Sequence, residues 1–318
     1  MKNSLKNAFS TRKSMQNSPP VDLVHELTQQ ELKGLQSCFL EMLKDFDRAC
    51  SQYGLSYMAA GGTALGAVRH KGFIPWDDDV DVLMPHEDLK KFCKIFDEAL
   101  GSRYEMTSPN SKYQLESMIS AIYRKNTLKA SFSDYNTPFP KGVHIDIFPI
   151  EAVPMNPVVR GVKGFWSMVL QYIAVSTLFY RYRNKEKKDF FYQTRAGKIN
   201  YRIRCAVGFL FSFRSYEKWG NAFDNFVQWK HPSKLWAVPT DTKHYFGHIM
   251  PKNVYYPPVK GIFEDFEINL PHDTDAYLKN QYGDYMLIPP EEDREKHYSV
   301  GFSLNVEEDL KKGRDIYK

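Results

Sequence analysis

The sequence predicts an α/β protein of the α+β type, in which a mixed sheet is flanked by helices and an additional basic helical segment is attached. Helical apolar repeats and short alternating runs follow one another through the N-terminal half, which indicates a sheet covered by helices. The 318 residues are 42% apolar and 25% charged, close to globular averages, so wholesale disorder and collagen-like structure are excluded. The 20 Tyr and 22 Phe supply ample material for a core.

The N-terminal region predicts a basic arm followed by a long helix. The first 20 residues hold four Lys or Arg, no acid and no apolar stretch of signal-peptide length, so we expect residues 1–22 to be a flexible basic arm. After Pro20, Thr28 and Glu31 have the spacing of a capping box. Apolar residues then repeat at helical spacing to about Cys50.

A glycine turn and an acidic strand come next. The predicted strand LSYMAAGG ends at Gly61-Gly62, and a helix over 63–70 opens from that turn. In DVDVLM, acidic and apolar residues alternate as in a strand, so Asp79 and Asp81 point to one face. Further elements are predicted as a helix over 87–100 and strands over 117–127 and 142–150, the last closed by Pro149.

The cysteines and the hydropathy pattern bear on the cell compartment. Four cysteines, Cys38, Cys50, Cys93 and Cys205, form no CxxC pair and no regular framework, so we expect reduced thiols. The most apolar run, 165–180, has 16 residues, fewer than the roughly 20 of a membrane span. We therefore expect a cytoplasmic protein, with a peripheral position on the inner face of the cell membrane if its basic segment docks there.

Asp79, Asp81 and Asp146 are the candidate catalytic and metal-binding residues. If their strands lie side by side, three carboxylates converge, and like charges at roughly 4–6 Å resist joint ionisation. Mg²⁺ removes that cost, and it offsets charge that develops when a phosphate group is transferred. The glycine turn upstream lets backbone N–H groups approach an anion. A solvated acidic run is the alternative interpretation, which the apolar flanks of DVDVLM disfavour.

These residues resemble the signature of the LicD family of phosphorylcholine transferases. That family is related to fukutin and the fukutin-related protein within the DNA polymerase β-like nucleotidyltransferase superfamily. The similarity runs through AAGGTALGAVRHKGFIPWDDDVDVLMPHEDLKKF, SAIYRKNT and GVHIDIFPIEAVP, and resumes in FEDFEINLPHDTDAYLKNQYGDYMLIPPEEDREKH. These blocks cover most of residues 55–155 and 260–297. Residues 156–255 show nothing diagnostic, so we expect the determinants of specificity there.

The resemblance implies a nucleotidyltransferase-like fold and a role for each matching residue. The Gly61–Thr63 turn, with threonine in place of the usual serine, matches the start of the helix that contacts nucleotide phosphates. Asp79 and Asp81 match the Asp-x-Asp pair that holds magnesium, and Asp146 matches the third carboxylate on a neighbouring strand.

The activity implied is transfer of a phosphocholine-type alcohol phosphate from a CDP-linked donor to a sugar hydroxyl, with release of CMP. The implied cofactor is Mg²⁺, with Mn²⁺ as an option. The implied acceptor is a lipid-linked or cell-surface glycan, such as one of a capsule, a lipopolysaccharide or a teichoic acid. The alcohol itself stays open among choline, ethanolamine, glycerol and ribitol.

Three further residues are expected to bind the donor, each with a plain structural alternative. Arg69 follows the glycine turn and could neutralise the pyrophosphate, or it could belong to an exposed basic turn. Trp76 could stack on a base or on a quaternary ammonium, or it could shape the loop. Arg124 could contact phosphate or be a solvated charge at a strand end. His144 shares the strand face of Asp146, and Tyr282, Asp284 and His297 lie in matching blocks without an assigned role.

The resemblance and the composition together divide the chain into four parts. We expect a flexible basic arm (1–22), a nucleotidyltransferase-like catalytic core (23–155), a basic aromatic helical segment (156–225) and a C-terminal part that completes the catalytic domain (226–318). Residues 160–215 hold twelve Lys and Arg against two acids, a net charge of +10. Such a segment indicates peripheral membrane contact, with a self-packed helical subdomain as the alternative. No motif for nucleic acid binding accompanies the charge, so we expect no nucleic acid partner.

Two other functions compete with the phosphotransferase. A GT-A glycosyltransferase also holds its metal with an Asp-x-Asp pair, but the glycine turn and the separate Asp146 strand disfavour it, and its usual product is a nucleoside diphosphate rather than CMP. A non-catalytic membrane-surface scaffold would keep its function when Asp79 and Asp81 are replaced by Asn.

Overall fold

The computed structural model describes residues 26–291, 294 and 299–317. The expected arm at 1–22 and His297 lie outside these residues. The helices are α1 (Gln29–Gln52), α2 (Gly61–Arg69), α3 (His86–Ala99), α4 (Pro157–Arg181), α5 (Lys185–Tyr192), α6 (Arg195–Leu210), α7 (Tyr216–Val227), α8 (His244–Gly247), α9 (Lys252–Tyr255), α10 (Thr274–Tyr282) and α11 (Val306–Lys311). The strands are β1 (Met58–Ala59), β2 (Asp81–Pro85), β3 (Tyr104–Thr107), β4 (Ser120–Arg124), β5 (Leu128–Ser131), β6 (His144–Ala152), β7 (Leu235–Ala237), β8 (Met250–Pro251), β9 (Val259–Phe263), β10 (Phe266–Leu270) and β11 (Ser299–Ser303).

The predicted mixed sheet flanked by helices is confirmed. Its main path runs β1-β2-β6-β4-β3, and β7 and β8 join it beside the far end of β6. The β2–β6 pair is parallel, whereas β1–β2, β4–β6 and β3–β4 are antiparallel. Two small sheets, β9–β10 and β5–β11, complete the strand pairing of the described residues.

The two site strands differ in extent from the sequence prediction. Strand β2 begins at Asp81, so Asp79 lies just before the strand rather than on it. Strand β6 does not stop at Pro149 but continues to Ala152. On the side of β6 away from β2, pairing with β4 covers 144–147 and pairing with β7 covers 151–152. Pro149 falls between these two stretches, where the N–H that it lacks is not required.

Helix α1 covers the sheet through an aromatic core. Its N-terminus is the predicted capping box: Thr28 Oγ1 accepts from Glu31 N at 3.2 Å, and Glu31 Oε2 accepts from Thr28 N at 3.0 Å. Phe46 of this helix packs edge-on against Tyr57 and Phe92, with ring centroids 4.9 and 5.3 Å apart. Both contacts lie in the largest hydrophobic cluster, which joins α1 and α3 to the strands.

The 156–225 segment is helical, as predicted, and forms α4 to α7. Each helix starts at a polar cap whose side chain accepts a backbone N–H: Asn156, Asn184, Thr194 and Ser215. Helix α4 packs along α7, and α6 crosses α4 near its C-terminal half. Helix α4 has 25 residues and contains the whole 16-residue apolar run 165–180. Within the described residues, α4 is the helix that is long and apolar enough to cross a membrane. Its most apolar stretch has a mean hydropathy of 1.2, and 33% of that stretch is buried inside the protein.

The four cysteines all fall in the described part of the chain and are free thiols, as expected.

A buried histidine joins the sheet to the helical segment. His86, at the start of α3, places Nδ1 2.5 Å from Glu151 Oε1 and Nε2 4.0 Å from Asp224 Oδ2 on α7. All three side chains are buried. Burial alone would lower the pKa of His86, but the Glu151 and Asp224 carboxylates outweigh it and the pKa is raised. Burial raises the pKa of Glu151, and His86 offsets part of that rise. A protonated His86 therefore stabilises the contact.

The stability of the protein is predicted to fall as the pH rises through the titration of His86. The raised pKa means that the folded state holds the proton more tightly, so this contribution is complete below about pH 6.5 and is lost as the pH passes the folded pKa. The raised pKa of Glu151 changes the stability with pH in the same direction. Urea unfolding across a pH series measures the effect.

In a His86→Gln protein the unfolding free energy is expected to be lower by about 3–5 kcal/mol in mildly acidic solution. The part of the pH slope that comes from His86, above about pH 6.5, should be missing, whereas the part that comes from Glu151 remains. Replacing the exposed His231 by Gln is the control. An unchanged pH slope in His86→Gln would show that the contact is not maintained by the proton.

Candidate active site

Parallel pairing of β2 with β6 sets Asp81 directly opposite Asp146. The register joins Asp81 with Asp146 and Val82 with Ile147, and Asp146 N donates to Val80 O at 3.0 Å. Neighbouring strands lie about 4.8 Å apart, so the two side chains leave the same face of the sheet as close neighbours. Asp79 lies two residues before the first residue of β2, and all three aspartates are half-buried. The pairing expected of Asp81 and Asp146 is therefore present.

The first turn of α2 rests on Asp81. Ala60 N donates to Asp81 O at 2.9 Å, and Asp81 N donates to Thr63 Oγ1 at 3.0 Å. Gly61 has a φ of +46°, and a Cβ there would lie 3.2 Å from Asp81 Oδ2. A Cβ on Gly62 would lie 2.6 Å from Asp77 Oδ2. Glycines are required because carboxylates approach the backbone here.

Two groups of the turn have partners within the chain. Gly61 N donates to Tyr277 Oη of α10 at 3.0 Å, and the buried Thr63 hydroxyl accepts from Asp81 N. Gln281 Nε2 lies 3.5 Å from the same Tyr277 oxygen and donates to Asp241 Oδ2 at 2.9 Å. Helix α10, in the C-terminal part of the chain, thus holds the glycine turn in place. The contact of Gly61, Gly62 and Thr63 with nucleotide phosphates stays a prediction.

The site concentrates negative charge. Removal from water raises the pKa of Asp81 well above its usual range, and the nearby Asp79, Asp146, Asp77 and Asp241 raise it further. Removal from water also raises the pKa of Asp146, against which His144 and Lys129 act. A cation bound among these groups would stabilise their ionised forms.

Lys129 is a site residue that the sequence reasoning missed. Its Nζ lies 3.2 Å from Asp78 Oδ2 and also donates to the backbone carbonyl of Asp78. Burial lowers its pKa, but Asp78, Asp79 and Asp146 more than reverse this, so the pKa is raised and the lysine stays charged. The available signal was a lysine at the centre of the short strand LKAS, where a buried charge requires a partner.

Further acidic side chains lie near Asp146, on the side of His144. His144 Nε2 is 3.9 Å from Asp146 Oδ1, and the His144 ring lies 5.0 Å from that of Tyr123. The Tyr123 hydroxyl donates to Glu116, and burial raises the pKa of Glu116 to about 7. Burial also raises the pKa of Asp134. Sequence reasoning missed Glu116 and Asp134 because both lie in loops with no pattern of their own.

The three weaker candidates have other partners. Arg69 Nη1 donates to the carbonyls of Tyr285 and Leu287 at 2.9 and 3.1 Å, which holds the chain after α10 against α2. The guanidinium of Arg294 lies 4.0 Å from the centre of the Trp76 ring. Arg124 Nη1 donates to Glu41 Oε2 of α1 at 2.7 Å and contacts Cys38. Their donor-binding roles stay predictions. Of the other matching residues, the Tyr282 hydroxyl approaches Gly61, 3.6 Å from where its Cβ would lie.

The carboxylates of this site suit Mg²⁺ as ligands, because they are hard oxygen ligands and the nearby cations do not balance their negative charge. Among residues 26–291, 294 and 299–317, no three His, Cys, Asp or Glu side chains are arranged as a ready metal site. Mg²⁺ is commonly held by one or two carboxylates together with waters and substrate phosphates, so Asp81 and Asp146 alone fit that use. The three-carboxylate unit with Asp79 stays a prediction.

The site thus consists of carboxylates on neighbouring parallel strands beside a helix that opens on two glycines. Residues 54–167 match the family model described as LicD/FKTN/FKRP, nucleotidyltransferase domain. This match, together with the full-length relative described next, confirms the resemblance to the LicD family seen in the sequence.

Two relatives extend this comparison. The chain is 27% identical over 277 residues to the lipopolysaccharide cholinephosphotransferase LicD of Haemophilus influenzae, covering 84% of this chain and 96% of that protein. It is also 42% identical over 55 residues to an uncharacterised protein of Rickettsia typhi, covering 17% of this chain and 18% of that protein.

Replacing Lys129 by Met is predicted to lower the unfolding free energy by about 3–5 kcal/mol, because the Asp78 carboxylate would be left buried without its cation. Urea unfolding measures the loss. Lys91→Met is the matched control, since Lys91 pairs with Asp88 at 2.9 Å on the surface, and no measurable change is expected there. Equal stability of the two variants would mean that Lys129 does not hold Asp78 in place.

Proposed function

We propose that this chain transfers a phosphocholine-type alcohol phosphate from a CDP-linked donor to a sugar hydroxyl of a lipopolysaccharide or related cell-surface glycan, releasing CMP. The observation that carries the proposal is the register of Asp81 with Asp146 under the glycine turn of α2. The Haemophilus relative, which covers most of the chain, supports choline phosphate and lipopolysaccharide as the substrate classes.

Asp81 and Asp146, with Asp79 beside them, would hold Mg²⁺ or Mn²⁺. When bound, such an ion neutralises the phosphates and offsets the charge that develops on the transferred group. In the reaction, the sugar oxygen forms a bond to the phosphorus that carries the alcohol. The bond from that phosphorus to the oxygen bridging to the CMP phosphate breaks, and CMP leaves with the electron pair.

The proton of the sugar hydroxyl requires an acceptor. Asp78 is a poor one, since it is 7% exposed and bound to Lys129. Asp79, Asp81 and Asp146 are more exposed than Asp78, so we infer that one of these three carboxylates accepts the proton. The role of Lys129 is then to fix the chain at Asp78 so that the next aspartate faces the reacting group.

The test is CMP release from CDP-choline by the purified chain with Mg²⁺ and lipopolysaccharide as acceptor. Asp81→Asn and Asp146→Asn are each expected to reduce turnover by at least about 10²–10³-fold, because each removes charge stabilisation at the transferred phosphate. Asp265→Asn, at an exposed position paired with Lys44, is the matched control and should retain full activity.

Two results would contradict the proposal. One is near wild-type turnover of Asp81→Asn in excess Mg²⁺. The other is release of a nucleoside diphosphate with transfer of a sugar, the outcome for a glycosyltransferase. Parallel reactions with CDP-ethanolamine, CDP-glycerol and CDP-ribitol identify the alcohol.

A further inference from the structure

Helix α4 turns its large apolar side chains outward and its small side chains inward. Val158, Phe165 and Trp166 are 71%, 58% and 52% exposed. The buried positions are mostly small or polar: Gly164, Ser167, Ala174, Ser176 and Thr177. A helix that packs only against a protein core shows the opposite arrangement.

The exposed apolar face of α4 lies on the same side of that helix as the part that α6 covers. Gly208 of α6 lies against Ser176 and Tyr180 of α4, and the guanidinium of Arg204 lies 5.4 Å from the Tyr172 ring centre. One stripe at helical spacing leads back from there to the N-terminus of α4: Ser176, Tyr172, Val169, Phe165, Val162 and Val158. In the described structure α6 covers only the C-terminal part of this stripe. Phe209, Leu210 and Phe213, at the end of α6 and just after it, are exposed as well.

The charges around this face are mostly positive, and the exposed acids of this segment are Glu186 and Asp189. Residues 152–185 and 190–216 contain no Asp or Glu. Lys187 and Arg204 are buried, the first bonded to Ser133 and Asn136, so they do not contribute to the surface. The cations that remain exposed are Arg181, Arg183, Lys185, Lys188, Arg195 and Arg202. Six exposed cations against two exposed acids leave a net positive charge beside the apolar face. This charge complements an anionic surface, whereas a second copy of the chain would bring like net charges opposite each other.

We propose that α4 and α6 dock the protein on an anionic lipid surface. The side chains of Val158, Val162, Phe165 and Trp166 enter the boundary between head groups and acyl chains, and the exposed Arg and Lys contact the anionic head groups. This docking does not depend on the proposed reaction, because it needs no substrate.

Co-sedimentation of the purified chain with phosphatidylglycerol–phosphatidylcholine vesicles tests the docking. Binding is expected at low salt, with loss at high salt and on pure phosphatidylcholine, because the charge contribution is screened or absent. The double variant Phe165→Ser, Trp166→Ser is expected to bind on the order of tenfold more weakly. A triple variant with Arg181, Lys185 and Lys188 replaced by Gln should lose the preference for anionic vesicles.

The matched control is Ile262→Ser with Leu310→Ser, at positions 58% and 57% exposed on β9 and α11. This control should bind as the wild type does, and thermal melts establish that each variant is folded. Three outcomes would overturn the proposal: no binding to anionic vesicles at low salt, equal binding by the Phe165, Trp166 variant, or a dimer that dissociates in that variant. Resistance of the full chain to alkaline extraction from cell membranes would assign α4 as a spanning helix and also overturn surface docking.

Discussion

The candidate site depends on a single pair of strands. Most strand pairs in the main sheet are antiparallel, but β2 and β6 run parallel, and their register places Asp81 opposite Asp146. A shift of one residue would turn one of the two carboxylates to the other face of the sheet. The register is fixed by the apolar residues that follow, because Val82, Leu83 and Ile147 are fully buried. The hydrophobic core thereby determines where the acidic groups meet.

Bringing these carboxylates together costs free energy, and the surroundings offset part of it. Lys129 enters from β5 and binds Asp78, and His144 stands beside Asp146 on its own strand. The first turn of α2 adds its backbone dipoles, and glycine allows the carboxylates to come close. The pKa values of Asp81 and Asp146 stay raised in spite of these contacts, so positive charge is still in deficit. A bound cation and its phosphate ligand would fit that deficit.

Local patterns predicted much of this arrangement. The capping box at Thr28, the glycine turn at Gly61 and the two acidic strands are encoded by neighbouring residues, so a single sequence was sufficient for them. The same patterns placed Asp79 on a strand that begins only at Asp81, because alternation does not show where pairing starts. Lys129 and Tyr277 reach the site through tertiary packing from 48 and 196 residues beyond Asp81. A lysine within LKAS signals a buried charge that requires a partner, but the local sequence of neither residue identifies the group that it contacts.

The central claim is that Asp81 and Asp146 hold a metal ion together with the phosphates of a nucleotide-linked donor. Anomalous diffraction from crystals grown with Mn²⁺ and CDP tests it most directly, because it locates the ion without reference to turnover. The account predicts one strong peak within about 2.1–2.2 Å of a carboxylate oxygen of each residue, with phosphate oxygens in its coordination sphere. A peak at another site, or bound CDP with no metal between these two carboxylates, would contradict it.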